Sequence, residues 1–284
     1  MFGSVEDVKR QLRRTGYVAD DDAATSVFLA ARLSRPLLVE GPAGTGKTEL
    51  GRATAAASGR ELVRLQCYEG LDESKVLYEW HYRKQLLALQ GGADAGLEDL
   101  FSETFLLERP VLRALRSAEP VVLLIDEVDR IELETEALLL EVLSDLQVTV
   151  PEMGTIRARS EPLVILTSNA TRELSEALKR RCLYLWLDFP SLERERTIVL
   201  SKIPDIQERL ADQVVRVVRS LRSLELRKPP SIAETLDWAR TLLALGVGDV
   251  DAEVAARTLG SLLKNPADIA RARAERLDDP GGRR

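Results

Sequence analysis

Short runs rich in apolar residues alternate with amphipathic stretches over the first two thirds of the chain. Five such runs, at residues 37–39, 61–66, 121–125, 163–167 and 183–187, have the length and composition of buried strands. The stretches between them repeat their apolar residues at helical spacing. Strands that alternate with helices predict an α/β fold, in which helices cover both faces of a parallel sheet.

Helices are also predicted on either side of these strands. Residues 1–14 have apolar positions on one helical face, and residues 23–33 follow three aspartates, whose charge suits a helix N-terminus. After residue 190 no strand pattern remains, and the predicted helices lie at about 191–201, 204–224, 231–245 and 250–263. We therefore predict a sheet domain over residues 1–190, and a helical lid with a disordered tail over residues 191–284.

Residues 67–116 interrupt the alternation between the second and third strands. A helical pattern at 83–90 precedes a glycine-rich break at 91–96, and a further helix is predicted at about 110–118. We interpret residues 67–116 as an insertion in the sheet domain. Its aromatic residues either form a surface that faces a client or a pore, or pack on the sheet; they are Tyr78, Trp80, Phe101 and Phe105.

Composition and charge narrow the class of protein. Hydrophobic residues make up 45% of the chain and charged residues 30%, and no run is long and apolar enough to span a membrane. With no secretory pattern at the N-terminus, we expect a cytoplasmic protein. The net charge of −6 argues against general nucleic-acid binding. The single histidine, His81, excludes a zinc site built on histidines, and the distant Cys67 and Cys182 indicate no disulfide framework.

The first predicted strand leads into a glycine-rich loop with the sequence Gly41-Pro42-Ala43-Gly44-Thr45-Gly46-Lys47-Thr48. The pattern Gly-x-x-x-x-Gly-Lys-Thr, between a strand and a helix, is that of a phosphate-binding loop, or P-loop. Backbone N–H groups of such a loop, and of the helix that follows, bind phosphate oxygens. Lys47 is expected to bind the β- and γ-phosphates, and the Thr48 hydroxyl to bind Mg²⁺.

Polar residues follow two further strands at their carboxyl ends, where parallel sheets bind ligands. Asp126 follows the third strand and is the expected partner of Thr48 in holding hydrated Mg²⁺. Glu127 is the expected base that polarises a water molecule for attack on the γ-phosphate. Asn169, after the fourth strand, is expected to orient the same water. We therefore predict a site for nucleotide hydrolysis at this edge of the sheet.

Two pairs of residues are candidates for recognition of the nucleotide base and for contacts between subunits. The chain has no Asn-Lys-x-Asp signature of guanine binding, which favours ATP, and Tyr17 and Val18 are expected to contact the adenine because they precede the P-loop. Arg180 and Arg181 enter the fifth strand. They either form a solvated edge or, in a ring, bind the γ-phosphate of a neighbouring subunit, a contact worth about 10³–10⁵ in rate.

Together these motifs resemble those of the AAA+ ATPases. The resemblance rests on a Walker A motif at 41–48, a Walker B motif at 121–127, a sensor-like Asn169 and the paired arginines, followed by a helical lid. Within that superfamily the chain resembles the MoxR group through residues 63–67, the insertion and residues 139–150. It is most similar to the CoxD-like branch through residues 77–80, 107–110, 125–130, 178–184 and 230–238. The similarity extends over residues 15–270.

This resemblance implies an ATP-hydrolysing chaperone with a P-loop NTPase fold and a three-layer αβα core. Members of the family form homo-oligomeric rings, usually hexamers, and often act with a partner that carries a von Willebrand A domain. CoxD-like proteins are associated with maturation of the molybdenum–copper centre of carbon monoxide dehydrogenase, so the implied client is a metalloenzyme. The alternatives are a motor or loader that acts on nucleic acid, and a nucleotide-gated scaffold with little turnover.

One position departs from the pattern of the MoxR group. Its lids usually place an arginine at the start of a helix in a Ser-x-Arg setting, whereas this chain has Ser231-Ile232-Ala233. Arg227, Lys228 and Arg240 are the candidates for that role. The coupling between the bound nucleotide and the lid therefore depends on a contact that the sequence does not specify.

Overall fold

The computed structural model describes residues 2–90 and 100–274, which form two compact units. The first unit comprises Met1–Thr15, Ala19–Gly41 and Lys47–Trp186, and the second comprises Gly16–Val18, Pro42–Gly46 and Leu187–Arg284. Five residues of the P-loop therefore group with the C-terminal helices. The division that we predicted after residue 190 stays a prediction. The glycine-rich break at 91–96 and the tail at 278–284 lie outside the described residues.

The first unit contains a five-stranded parallel sheet. In chain order the strands are β1 (Leu37–Glu40), β2 (Leu62–Gln66), β3 (Tyr78–Trp80), β4 (Leu106–Glu108), β5 (Val122–Asp126), β6 (Gln147–Val150), β7 (Gly154–Arg157), β8 (Leu163–Ser168) and β9 (Leu183–Trp186). The central sheet has the order β2–β5–β8–β1–β9, and every pairing in it is parallel. Its three inner strands are buried along their whole length, as expected where helices cover both faces. The predicted α/β fold class is confirmed.

Eight α-helices of the first unit have described bounds, besides two short 3-10 helices at Glu103–Phe105 and Val128–Arg130. The α-helices are α1 (Val5–Arg14), α2 (Asp21–Leu33), α3 (Lys47–Ser58), α4 (Glu73–Val76), α5 (Tyr82–Gln90), α6 (Pro110–Arg116), α7 (Leu133–Asp145) and α8 (Glu176–Arg181). Side chains cap the first two, since Ser4 accepts a hydrogen bond from the N–H of Asp7 and Asp20 from that of Ala23. Helix α3 packs closely on β5, because a Cβ at Gly51 would lie 2.7 Å from Cδ1 of Leu124.

The insertion at 67–116 contains a second, two-stranded sheet that the sequence did not predict. Strands β3 and β4 pair in antiparallel fashion, with Trp80 opposite Leu106. Trp80 is buried, and Tyr78, Phe101 and Phe105 pack against the same hydrophobic core. The structure thus favours packing over a free surface for these aromatics. The exposed apolar residues of the insertion lie mainly on α5 instead; they are Tyr82, Leu86, Leu87 and Leu89.

The second unit is mainly helical. Its helices are α9 (Leu192–Lys202), α10 (Glu208–Ser223), α11 (Ile232–Ala244), α12 (Ala252–Leu262) and α13 (Pro266–Ala274). The first four match predicted helices, and Ser231 with Glu234 forms a capping box at the start of α11. Helix α13 was not predicted. Asp268 on α13 accepts hydrogen bonds from the N–H groups of Arg227 and Lys228, a tertiary contact that local periodicity does not reveal. Across the described part of both units, no helix has the length and apolar character needed to cross a membrane.

A buried ion pair connects three helices of the second unit. Glu195 on α9 accepts two hydrogen bonds from Arg222 on α10, at 2.6 and 2.8 Å, and neither side chain is more than 10% exposed. The hydroxyl of Thr235 on α11 donates to the same carboxylate at 2.9 Å. Nε of Arg222 also donates to the carbonyl of Pro230, at 2.7 Å. The pair therefore positions the segment that leads into α11.

We expect Glu195→Ala to lower the free energy of unfolding of the second unit by about 3–5 kcal/mol, because it leaves the Arg222 guanidinium buried without a counter-charge. The measurement is urea-induced unfolding followed by circular dichroism. Glu253→Ala is the matched control, since Glu253 and Arg257 form an ion pair in which both side chains are more than three-quarters exposed. That change should cost less than about 1 kcal/mol. Equal losses in the two variants would contradict the prediction.

Candidate active site

The P-loop is divided between the two units, and its first-unit residues are Gly41, Lys47 and Thr48. Lys47 is buried, and its Nζ donates a hydrogen bond to the carbonyl oxygen of Gly41 at 2.8 Å. Burial lowers the pKa of Lys47, and the carboxylates of Asp129, Asp126 and Glu127 act in the opposite direction. The lysine that is expected to bind phosphate is therefore close enough to three carboxylates to be affected by their negative charge.

Asp126, at the end of β5, accepts hydrogen bonds on both carboxylate oxygens and is almost fully buried. Its Oδ1 accepts from Oγ1 of Thr48 at 2.8 Å and from Oγ1 of Thr167 at 2.6 Å. Its Oδ2 accepts from the guanidinium of Arg64, whose Nε lies 3.1 Å away. The two residues predicted to bind magnesium, Thr48 and Asp126, are thus in direct contact.

The oxygen ligands at this point fit a magnesium ion held largely by phosphates and water. The Thr48 hydroxyl donates its hydrogen bond to Asp126, which leaves lone pairs of Oγ1 available for a cation. Mg²⁺ in nucleotide sites uses one or two protein oxygens and completes its shell with phosphate and water. Within residues 2–90 and 100–274, no cluster of three or more His, Cys, Asp or Glu side chains offers a metal site of another kind.

Glu127 follows Asp126 with a left-handed backbone, at φ 59° and ψ 48°. This conformation costs a residue other than glycine about 1–3 kcal/mol. The N–H of Glu127 donates to Oγ1 of Thr167 at 3.0 Å, and its Oε2 lies 3.2 Å from Nε2 of Gln66 and 2.9 Å from Nε of Arg130. Gln66 was not predicted as a site residue. Only the pairing of β2 with β5, which places Gln66 opposite Asp126, brings its amide to Glu127.

Asn169 lies in a turn after β8 that two buried carboxylates hold. Asp129 accepts hydrogen bonds from the N–H groups of Asn169 and Thr171, at 3.2 and 3.1 Å, and from the Thr171 hydroxyl at 2.6 Å. Burial raises the pKa of Asp129, but these hydrogen bonds outweigh it, so that the pKa lies below its ordinary value. Ser168 donates to the buried Glu40 at 2.9 Å. The turn is therefore tied both to the Walker B segment and to β1.

Arg180 and Arg181 end helix α8, and both are exposed. The Arg180 side chain is 81% exposed, and its Nε lies 3.8 Å from a carboxylate oxygen of Glu176. Arg181 donates to the hydroxyl of Ser144 and to the carbonyl of Ala177. Exposure suits a solvated edge as well as a contact with a neighbouring subunit, so the role of the pair stays a prediction.

In the second unit, the P-loop residues 42–46 group with the start of α11. The N–H of Ile232 donates to the carbonyl oxygen of Gly44 at 3.2 Å. Gly44 has φ +79°, and a Cβ there would overlap the side chain of Ser231. Glycine is therefore required at this position both by its conformation and by the space available. Ile232, in the segment where lids of the MoxR group usually have an arginine, thus contacts the loop through its backbone.

The three residues that we considered for the role of the MoxR-type arginine lie near the same segment of the chain. Lys228 Nζ is 3.8 Å from a carboxylate oxygen of Glu234, and Arg240 donates to Asp237 at 3.1 Å. The N–H of Arg227 is bonded to Asp268. A contact of any of the three with nucleotide stays a prediction.

Tyr17 and Val18 also belong to the second unit. Tyr17 is buried, and a Cβ at Gly46 would lie 3.8 Å from Cε2 of its ring, so the ring packs beside the P-loop. The carbonyl oxygen of Val18 accepts a hydrogen bond from Nε of Arg194 at 2.9 Å. Their contact with adenine stays a prediction.

The two cysteines have no part in the expected chemistry. Burial raises the pKa of both thiols to about 12, and nearby acids, with Asp126 first among them, add to the effect at Cys67. Both thiols are therefore protonated at neutral pH, and a protonated thiol is a poor nucleophile and a poor metal ligand.

Comparisons with known proteins show what this chain is similar to. A model of the family described as "AAA domain (dynein-related subfamily)" matches residues 36–182. An uncharacterised protein of Staphylococcus haemolyticus is 26% identical over 239 residues, which are 81% of this chain and 84% of that protein. The peroxisomal Lon protease homolog 2 of Pichia angusta is 33% identical over 174 residues, which are 58% of this chain and 17% of that protein.

Solved structures of two variants of RuvB from Thermotoga maritima share the fold. Their TM-scores are 0.51 and 0.50, with 17% and 18% sequence identity. Each match covers 90% of this chain, and 68% and 70% of the respective RuvB chains. The segment matched by the family model, residues 36–182, contains the whole P-loop together with Asp126, Glu127, Asn169 and both arginines of α8.

Proposed function

Because this chain belongs to the AAA domain family, in its dynein-related subfamily, we propose that it binds ATP with Mg²⁺ and hydrolyses the ATP to remodel another protein. The observation that carries the proposal is the hydrogen bond between Thr48, at the end of the P-loop, and Asp126, with Glu127 next in the chain. A P-loop hydroxyl beside a buried strand-end carboxylate is the arrangement with which P-loop NTPases hold Mg²⁺.

Each residue has a distinct task in this reaction. Lys47 gives up its hydrogen bond to Gly41 and donates to the β- and γ-phosphates. Thr48 and Asp126 would hold hydrated Mg²⁺, which when bound would neutralise charge on the phosphates. Glu127 accepts a proton from the attacking water, and Asn169 orients that water. The turn that carries Asn169 is held in place by Asp129.

We also propose that the chain acts as a MoxR-type chaperone of the CoxD-like branch. Its client would be a metalloenzyme whose molybdenum–copper centre it helps to mature, and its partner a protein with a von Willebrand A domain. The support is the set of segments that resemble this branch, among them residues 77–80 and 230–238. The same resemblance supports an ATPase core over residues 1–190, with the insertion at 67–116 and a helical lid after it. Use of ATP supports a cytoplasmic location.

A homo-oligomeric ring, with six subunits, is the assembly that we propose. The resemblance to the MoxR group supports a ring, and the exposure of Arg180 and Arg181 at the end of α8 is compatible with it. In a head-to-tail ring each subunit presents one surface to the next, so that an exposed arginine of one subunit can complete the nucleotide site of its neighbour.

The direct test compares nucleotide binding and hydrolysis in the wild-type chain and Lys47→Ala. We expect the wild-type chain to bind ATP with Mg²⁺, and Lys47→Ala to lose at least about tenfold in affinity, because the ammonium no longer pairs with the phosphates. Isothermal titration calorimetry and phosphate release are the measurements. Lys264→Ala, which changes an exposed lysine on the second unit, is the control. Equal affinity in Lys47→Ala and wild type would contradict the proposal.

A second experiment tests the client. The rate of ATP hydrolysis is measured under three conditions. The chain is assayed by itself, then with an immature molybdenum hydroxylase and a von Willebrand A protein, and then with duplex or single-stranded DNA. The proposal predicts stimulation by the two proteins and none by DNA. Stimulation by DNA alone would favour the nucleic-acid motor, and a turnover that stays low under all conditions would favour the scaffold.

A further inference from the structure

Arg64 on β2 is a cationic side chain in direct contact with Asp126, the acid expected to hold hydrated Mg²⁺. Strand β2 pairs with β5 so that Arg64 lies opposite Leu124 and Gln66 opposite Asp126. Residues 64 and 66 share one face of the strand. From that face the guanidinium of Arg64 donates to Oδ2 of Asp126 through both Nε and Nη2. The carboxylate is buried, whereas the Arg64 side chain is about one-third exposed, at 36%.

The same guanidinium also acts on Glu127 through one intermediate residue. Nη2 of Arg64 donates to Oε1 of Gln66, and Nε2 of Gln66 donates to Oε2 of Glu127 at 3.2 Å. Because Arg64 occupies the amide oxygen, the amide NH₂ group faces Glu127. A single side chain thus binds the acid expected to hold magnesium directly and the expected base through Gln66.

Both carboxylate oxygens of Asp126 are engaged in this arrangement. Oδ1 accepts from Thr48 and Thr167, and Oδ2 accepts from Arg64. A hydrated magnesium ion needs an acceptor on this carboxylate for its water ligands, and its charge repels a guanidinium at the same oxygen. Arg64 is exposed enough to turn into solvent, whereas Thr48 and Thr167 are tethered by short side chains. The contact that gives way is therefore that of Arg64.

We propose that Arg64 competes with hydrated Mg²⁺ for Asp126, and that its departure frees Gln66 and so loosens the hold on Glu127. Arg64 is then a positioning residue that stabilises the nucleotide-free arrangement. Nucleotide with Mg²⁺ must therefore displace Arg64 from Asp126 when it binds, which lowers its affinity for the site. The inference rests on the proposed use of ATP with Mg²⁺ at this site.

The test uses Arg64→Gln in the full-length chain. The Mg²⁺ concentration that gives half-maximal ATP hydrolysis is expected to fall about 5–10-fold, because a competing cation is removed, while the maximal rate at saturating Mg²⁺ stays within about twofold of wild type. By calorimetry, the gain in affinity for ATPγS on going from EDTA to saturating Mg²⁺ should rise by a similar factor. Arg113→Gln is the matched control, since Arg113 and its partner Glu61 are both more than half exposed and lie away from Asp126.

Arg64→Lys, which keeps the charge but loses the two-pronged donation, should give a Mg²⁺ requirement between those of wild type and Arg64→Gln. The inference is overturned if Arg64→Gln requires as much Mg²⁺ as wild type or more. It is also overturned if the maximal rate falls tenfold or more, since Arg64 would then belong to the active arrangement. A wild-type chain that binds no ATPγS would refute the proposed function itself, whereas normal wild-type binding with an unchanged Arg64→Gln refutes this inference alone.

Discussion

Glu127→Gln is expected to lower the steady-state rate of ATP hydrolysis by about 10²–10⁴-fold, since an amide cannot take the proton of the attacking water. Affinity for ATP should stay close to that of the wild type, because glutamine keeps the shape of the side chain and Glu127 has no expected contact with the phosphates. Phosphate release measures the rate, and calorimetry the affinity. A lower rate with unchanged affinity identifies Glu127 as a base, whereas a residue that holds the nucleotide would also change the affinity.

Glu134→Gln supplies the control for this experiment. Glu134 is an exposed acid on α7, so that its replacement removes one negative charge without altering the contacts of Gln66 or Arg130 with Glu127. Its rate should match the wild type. An unaffected rate in Glu127→Gln would mean that another group accepts the proton, and the assignment of the base would be wrong.

Mixing two inactive variants is expected to restore part of the activity if Arg180 and Arg181 serve a neighbouring subunit. Lys47→Ala lacks a working P-loop, and the double variant Arg180→Ala and Arg181→Ala lacks the arginines, which should cost about 10³–10⁵ in rate. In a random equal mixture, a site works when its own subunit has Lys47 and its neighbour has the arginines. In a head-to-tail ring that holds for about one quarter of the sites. Phosphate release after subunit exchange measures the restored rate.

A second mixture provides the control for the first. Lys47→Ala and Glu127→Gln both damage groups assigned to the same subunit's site, so that no pairing of these subunits repairs a site. That mixture should stay inactive. Mixed rings that form without any return of activity in the first mixture would contradict a shared site, as would equal recovery in both mixtures.

Local patterns in the sequence were sufficient to predict the framework of the site. The helix predicted after the P-loop is α3, which begins at Lys47 and ends at Ser58, directly before a glycine. The strand that ends in Asp126 was evident from five consecutive apolar residues. Thr48 and Asp126, which were predicted to hold Mg²⁺ together, are hydrogen-bonded, because β1 and β5 are parallel strands whose carboxyl ends lie at the same edge of the sheet.

The remaining features depend on pairings that no local pattern encodes. Strands β3 and β4 are three residues each and are separated by helix α5, so neither had a recognisable partner in the sequence. In the sequence, Arg64 and Gln66 occupy the polar positions of an alternating strand, and such positions are expected to face solvent. Their contacts with Glu127 and Asp126 arise only from the register between β2 and β5. Asp129 likewise resembles an ordinary turn residue in the sequence, and only the structure shows that it accepts a hydrogen bond from the backbone of Asn169.

The close fit between Gly44 and Ser231 has a consequence for the evolution of this chain. Any side chain at position 44 overlaps Ser231, so mutation at 44 is acceptable only alongside loss of the side chain at 231, and the left-handed backbone still disfavours it. We therefore expect these two segments, which are remote in the sequence, to be constrained together in evolution. A chimera that takes residues 42–46 from a relative should inherit the start of α11 from the same parent.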